Sequence, residues 1–264
     1  MAVIKPDQME QKTWDYLLKL TKRHEWPVLH MYNNKASPDA AQDVTCGIGF
    51  ANMPTKEASL QYIDMFYDKD TDLPATREQM MADWVTASQI LRTFGKSNNL
   101  ESTPQGDGYA DQCQLRMRPE KVYDKMAEIL KARLNKSLQV SNLWNFSNYP
   151  ATAQVACASF WYGFLAQCAP NMCRALAVFD FDEAGKQSYL KGISTRKLLA
   201  HRALFWNAAR LNEQNLDFGW LPFQVDPPEI LPWKPWTSRV LDLDSGSMSE
   251  EQHETEPARP GIPK

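Results

Sequence analysis

Met9, Thr13, Tyr16, Leu17 and Leu20 recur every three or four positions. That is the spacing of one face of an α-helix, and it predicts an amphipathic helix over 8–24. Pro27 ends the helix, and the residue before a proline is biased toward extended backbone. Val28–Tyr32 and Val44–Phe50 then form two short apolar runs on either side of the polar stretch 33–42, which holds Pro38. They predict two strands joined by a loop or hairpin tip.

Residues 55–94 return to helical spacing. Ala58, Tyr62, Met65 and Phe66 share one face, and Met80, Met81, Trp84, Ile90 and Leu91 share another. The stretch Asp70–Pro74 separates the two. Residues 95–111 are rich in Gly, Asn, Ser and Pro and predict a loop. Pro119 suits the first turn of a helix, whose apolar stripe is Val122, Met126, Ile129, Leu130 and Leu134. Residues 141–150 connect it to an apolar run at 151–166, which predicts a buried core helix. Shorter helices are expected near 171–179 and 181–190. A last helix over 195–211 has Ser194 or Thr195 as its cap and Leu198, Phe205 and Ala208 facing inward.

Beyond Asn215 the pattern dissolves. Five prolines between 222 and 235 alternate with Trp220, Trp233 and Trp236. The expected organisation is one main domain over 1–215, a Pro/Trp-rich strap over 216–242 and a tail over 243–264. That tail, rich in Ser, Glu and Pro, is too polar to offset the entropy of ordering. The aromatic strap could stack on sugars, but it is expected first to pack on the core.

Composition narrows the classes of function. The chain has 264 residues, 43% of them apolar, and a formal net charge of −3. This supports a sizeable core, and it supplies no strong attraction for nucleic acid or an anionic membrane. The N-terminal residues lack the apolar core of a signal peptide. The apolar run at 151–166 is interrupted by polar residues and falls short of a bilayer span. Five cysteines without a CxxC pair favour neither a zinc site nor a disulfide scaffold. They suit synthesis in a reducing cytoplasm, and no metal or other cofactor is expected.

The candidate chemistry lies where the first helix meets the strands. Glu25 stands at the helix end, and twenty residues on the chain reads Thr45-Cys46-Gly47-Ile48-Gly49-Phe50. Cleavage of a glycosidic bond needs a proton for the leaving oxygen and support for an oxocarbenium-like transition state. A carboxyl group among apolar or aromatic neighbours holds its proton to higher pH, and Glu25 beside Trp26 at the mouth of a cleft would suit that donor role. Each residue also has a plainer role: Glu25 as a solvated helix end, Thr45 as a β-branched strand residue. Rival chemistries find less support. His24, His30 and His201 have no paired ligand spacing. No GxSxG turn exists for a serine nucleophile. Cys157 sits in a stretch too apolar to favour a thiolate.

This order of helix, Glu, small β region with Thr-x-Gly-x-Gly and helical remainder resembles the phage-type lysozymes, the endolysin and muramidase family. Leu115–Val122 is similar to the start of one of the family's helices, Ala153–Gly163 to its central helix, Phe181–Ala184 to the segment after it, and Arg196–Phe205 to its terminal helix. The resemblance spans about residues 8–211. Phe50 stands where the family has His, the hairpin carries extra residues, and the loops near 67–78 and 95–111 are enlarged.

The resemblance implies an α+β, mainly α, lysozyme-like fold with a small β-hairpin region and a helical main lobe. It implies hydrolysis of the β-1,4 bond between N-acetylmuramic acid and N-acetylglucosamine in peptidoglycan. Glu25 would be the general acid and Thr45 would hold a water. Asp39, six residues before Thr45, would be the assisting carboxylate. Asp43 competes with it, Asn34 takes the place counted from the first strand, and Asp39 is also a natural turn residue after Pro38.

The implied partner is the glycan strand, reached in the periplasm or wall after export or lysis. The chain would then be a phage endolysin or an antibacterial secreted effector. The acidic balance and enlarged loops lean toward the effector, which would need an immunity protein and contact with a secretion apparatus. The other readings are a non-catalytic glycan-binding or structural protein and a lytic transglycosylase.

Overall fold

The structure is a computed structural model that describes residues 9–25, 27–33, 44–47, 51–89, 109–190, 193–225 and 227–231. The chain is α+β and mainly helical. Helix α1 (Gln11–His24) leads into strand β1 (Val28–Asn33), which pairs antiparallel with β2 (Val44–Gly47), and β2 pairs with β3 (Ala51–Met53). The second apolar run, expected as one strand over 44–50, is a strand only to Gly47 in its described part. Gly47 has φ 70°, in the left-handed region where a side chain is penalised, so this glycine is required by the backbone.

The next segment differs from its helical reading. Helix α2 (Lys56–Ser59) passes into a 3-10 helix over Leu60–Met65, and Phe66–Asp68 is then strand β4. After α3 (Arg77–Gln89) and the single turn α4 (Tyr109–Gln112), Leu115–Met117 forms β5, antiparallel to β4. In both strands the outer residues are buried and the middle one is half-exposed, the period of two of a one-sided sheet. Three residues are too few for that alternation to outweigh helical spacing in the flanks. Asp83 of α3 fixes the pair. Its buried carboxylate accepts from the backbone N–H of Gln114 at 2.9 Å and of Leu115 at 2.7 Å. Trp84 Nε1 donates to Met53 C=O at 2.7 Å and ties α3 to β3.

The helical lobe follows its sequence pattern closely. Pro119 opens α5 (Pro119–Ser141), and Val122, Met126, Leu130 and Leu134 are buried. Helix α6 (Ala151–Gly163) is buried on nearly every side, as expected of a helix without a polar face. It packs against α1, α5 and α9 (Thr195–Glu213), while α8 (Phe181–Gln187) packs against α9 and α7 (Pro170–Ala177) against α8. Gln154 is a buried polar residue near the start of α6, as is Thr152, and its amide donates to Phe146 C=O at 3.2 Å and Tyr149 C=O at 3.1 Å. The five cysteines are free thiols, and all but Cys168 are buried. Among the described residues no helix is long and apolar enough to cross a membrane.

Residues 216–231 run across the helices. Phe218 C=O accepts from Ala151 N–H at 2.7 Å, and Tyr16 Oη donates to Gln224 C=O at 3.2 Å. Leu221 and Val225 pack on the core. Asn207, fully buried, grips the far end: Nδ2 donates to Glu229 C=O at 2.7 Å and Oδ1 accepts from Leu231 N–H at 2.8 Å. Trp233, Trp236 and the tail over 243–264 lie outside the described residues. Replacing Asn207 by Ala strands two backbone groups. We expect it to destabilise the fold by about 1–3 kcal/mol, read as a lowered urea midpoint. An unchanged midpoint would show that the Asn207 grip contributes nothing.

Candidate active site

Glu25 terminates α1. Its backbone N–H donates to Thr21 C=O at 2.8 Å, and its φ of −104° and ψ of 98° turn the chain into extended geometry ahead of Pro27. The last turn of α1 carries Lys22, Arg23 and His24, and the two cations Lys22 and Arg23 stand where the helix dipole favours them.

The Glu25 side chain points into the helical lobe. Oε1 takes a short ion-pair contact from Lys197 Nζ of α9, and both side chains are about three-quarters buried. Lys197 sits in the first turn of its helix, where its own N–H is bound by the capping hydroxyl of Ser194 at 3.3 Å. A cation is unfavourable near a helix N-terminus, and the Glu25 carboxylate offsets that. To the apolar or aromatic neighbours expected of Glu25 the structure adds an ion pair with Lys197. Trp26, its expected aromatic neighbour, lies outside the described residues.

Tyr162 of α6 is the second neighbour. Burial raises its phenol above the ordinary tyrosine range, and the charge of Glu25 adds to the rise while Arg133 opposes it. Arg133 of α5 donates to Tyr162 C=O, a carbonyl in the last turn of α6, and its guanidinium lies 5.6 Å from the Tyr162 ring centre.

One helical turn deeper lies a polar seam. His201 follows Lys197 by four residues on α9, and Ser159 precedes Tyr162 by three on α6, so each pair shares a face. His201 Nε2 and Ser159 Oγ are hydrogen-bonded at 3.0 Å. The His201 ring is almost wholly buried, edge-on to Phe160 at 5.8 Å and to His24 at 6.5 Å. Burial lowers its pKa to about 3, helped by the nearby His24 and Lys197.

Thr45 is buried in the middle strand of the three-stranded sheet, opposite Tyr32 on one side and Asn52 on the other. Val28, three residues after Glu25, faces Gly47, and the register slips between Val28 and Tyr32. The ladder thus sets Gly47 nearest the Glu25 end of β1, with Thr45 two residues further along β2. Asp39, Asp43, Asn34, Gly49 and Phe50 lie outside the described residues. Of the three sequence candidates, Glu25 is placed at the α1–sheet junction, while Thr45 lies opposite Tyr32, toward the other end of β1.

Lys197, Tyr162, Arg133, Ser159 and His201 carried no role in the sequence reading. The signal for them was present: Ser159 and Tyr162 are polar positions at helical spacing in the second half of a largely apolar helix, and Lys197 and His201 are spaced by four on α9. His30 is also buried, and Cys157 is buried with its thiol pushed well up by desolvation, so neither presents a reactive group. Among the described residues no three His, Cys, Asp or Glu side chains are grouped to hold a metal ion. No protein-family model, curated protein or solved structure matches this chain, so the functional reading rests on the geometry of these residues.

Proposed function

We propose that this chain is a peptidoglycan muramidase of lysozyme-like architecture, with Glu25 as the proton donor. The observation that carries the reading is the placing of Glu25. It stands at the end of α1, at the entry to a small antiparallel sheet, with its carboxyl group held by a lysine from the last long helix. A glycosidase needs a carboxyl group fixed against a rigid frame, because a misplaced acid loses the proximity advantage. Lys197 and the Tyr162–Arg133 contact supply that frame. The step requires bound substrate to part Glu25 from Lys197, because a carboxylate in an ion pair has no proton to give. In the proposed step Glu25 protonates the glycosidic oxygen between N-acetylmuramic acid and N-acetylglucosamine as the bond breaks. A water then adds to the sugar on its opposite face.

The water needs a base, and Asp39 is our candidate. In an inverting enzyme the two carboxyl groups stand roughly 6.5–9.5 Å apart. Asp39→Asn should then lower turnover about a hundredfold or more, the usual share of a general base. Asp43→Asn should cost much less. Near-normal turnover in Asp39→Asn would remove it from the mechanism.

The reading as a whole is tested by digesting purified peptidoglycan and weighing the products by mass spectrometry. Reducing N-acetylmuramic ends are expected. Anhydro ends would mean a lytic transglycosylase in which Glu25 works without a base. Binding of wall without any product would mean a non-catalytic glycan-binding protein. The biological setting proposed for a muramidase of this kind is a phage endolysin or a secreted antibacterial effector, the latter blocked by a cognate immunity protein.

A further inference from the structure

Helix α9 keeps one flank outside the core. Ala200, Leu204, Ala208 and Leu211 make its buried stripe. Arg202, Trp206 and Arg210 follow at intervals of four on the opposite flank, one row over two helical turns. All three are half-buried, although that flank faces away from the core. Helix α8 walls one side of the row: a side chain at Gly185 would stand 3.7 Å from Trp206 Nε1 and 3.8 Å from Arg202 C=O. On the other side Asn207 holds the strap at Glu229 and Leu231.

The two cations of this row lack counter-charges. Arg202 Nε and Arg210 Nη1 are shut off from water and bond to no acceptor. Neither guanidinium has an ion-pair partner among the described residues. Burial pushes the Arg210 pKa down from its usual value, and the charge of Glu213 only opposes this. The first-turn acids of α8 are already engaged, since Lys186 lies 2.6 Å from Asp182 and 3.8 Å from Glu183. A half-dehydrated cation without a counter-charge gains more from an incoming anion than a fully solvated one, because the effective dielectric around it is lower.

The surroundings select the kind of anion. A phosphate chain would be repelled by the acids of α8 and by Glu213 and Glu229. A small inorganic anion could serve one arginine and would leave Trp206 unused. Arg202 and Arg210 are separated by about 12 Å along the helix axis. In an extended peptide alternate side chains share a face, and two that are four residues apart span about 13 Å. Carboxylates at that interval reach both arginines, and the side chain midway between them lies on Trp206. Half-buried arginine and tryptophan are also the side chains that carry most of the binding energy in protein interfaces.

We propose that this flank of α9 docks an extended acidic segment of a partner protein, with two carboxylates four residues apart and an apolar side chain midway. The inference stands on these side chains and is independent of the reading at Glu25.

The test titrates the full chain with the peptide acetyl-Glu-Gly-Leu-Gly-Glu-amide. Binding is followed by NMR at the indole N–H of Trp206 and the Nε–H groups of Arg202 and Arg210. Shifts are expected at all three. Replacing both Glu of the peptide by Gln should weaken binding about tenfold or more, and so should Arg202→Gln or Arg210→Gln in the protein. A Glu-Leu-Glu peptide, whose acids are too close to reach both arginines, should also bind about tenfold more weakly. The peptide changes leave the protein untouched, so they decide the matter even where loss of a half-buried arginine disturbs α9. Absence of shifts at the three residues, equal affinity for the Gln peptide, or equal shifts with sodium acetate at matched carboxylate concentration would each overturn the proposal.

Discussion

Glu25→Gln should abolish release of reducing ends from purified cell wall while the protein stays folded at the assay temperature. Glutamine keeps the shape of the side chain, and its carbonyl oxygen can still accept from Lys197. What it lacks is a proton acidic enough to give to a leaving alkoxide. Positioned acids contribute about 10²–10⁴ in rate, so residual turnover should fall by at least that much. The loss of charge leaves Lys197 without its partner, but both side chains keep about a quarter of their surface in water. Some solvent screening remains, so the cost is smaller than for a fully buried pair but still lowers the melting temperature. A Glu25→Gln protein that clears wall substrate at the unmodified rate would remove Glu25 from the mechanism and with it the proposed function.

Acid should destabilise the fold through His201. Its folded-state pKa is lowered to about 3, chiefly by burial and then by His24 and Lys197, against an ordinary value of 6.5. Above pH 6.5 both folded and unfolded chains hold the ring neutral, and the group contributes no pH dependence. As pH falls below 6.5 the unfolded chain takes up a proton that the folded chain refuses. Stability is then lost at about 1.4 kcal/mol per pH unit until the folded-state pKa is reached. Between pH 7 and 4.5 this amounts to about 2.5 kcal/mol from one residue.

The groups facing the ring are His24 from α1, Lys197 from the same helix, and Ser159 and Phe160 from α6. None of these offers the imidazolium a carboxylate. His201→Gln keeps a polar partner for Ser159 and removes the ionisation. Urea unfolding at pH 7 and 4.5 should show the variant losing less stability than the parent across that interval. Equal losses in the two proteins would show that His201 titrates normally in the fold.

Long elements were legible in the sequence because their patterns repeat. The stripe from Val122 to Leu134 and the apolar run from Ala151 have enough turns to fix a helix and its buried face. Strands β4 and β5 were not legible, since Phe66–Asp68 and Leu115–Met117 owe their pairing to Asp83, a residue from a third element. The candidate site divides in the same way. Glu25 stood out by its place at a helix end before Pro27. Lys197 could not be linked to it, because an ion pair across 172 residues leaves no local trace. His201 and Ser159 are one polar residue each on separate helices, and only packing shows that they meet.

The sequence distances in these contacts also set an order of assembly. Glu25 meets Lys197 across 172 residues, and Tyr16 of the same first helix meets Gln224 across 208. Closing loops of that length is slow, and neither contact exists until the distant segment has been made. A nascent chain leaving the ribosome would therefore hold α1 and its glutamate early but lack the lysine that fixes it until α9 has been made. We expect fragments ending before α9 to be inert and short-lived. The Glu25–Lys197 pair would then mark chains in which synthesis has passed α9.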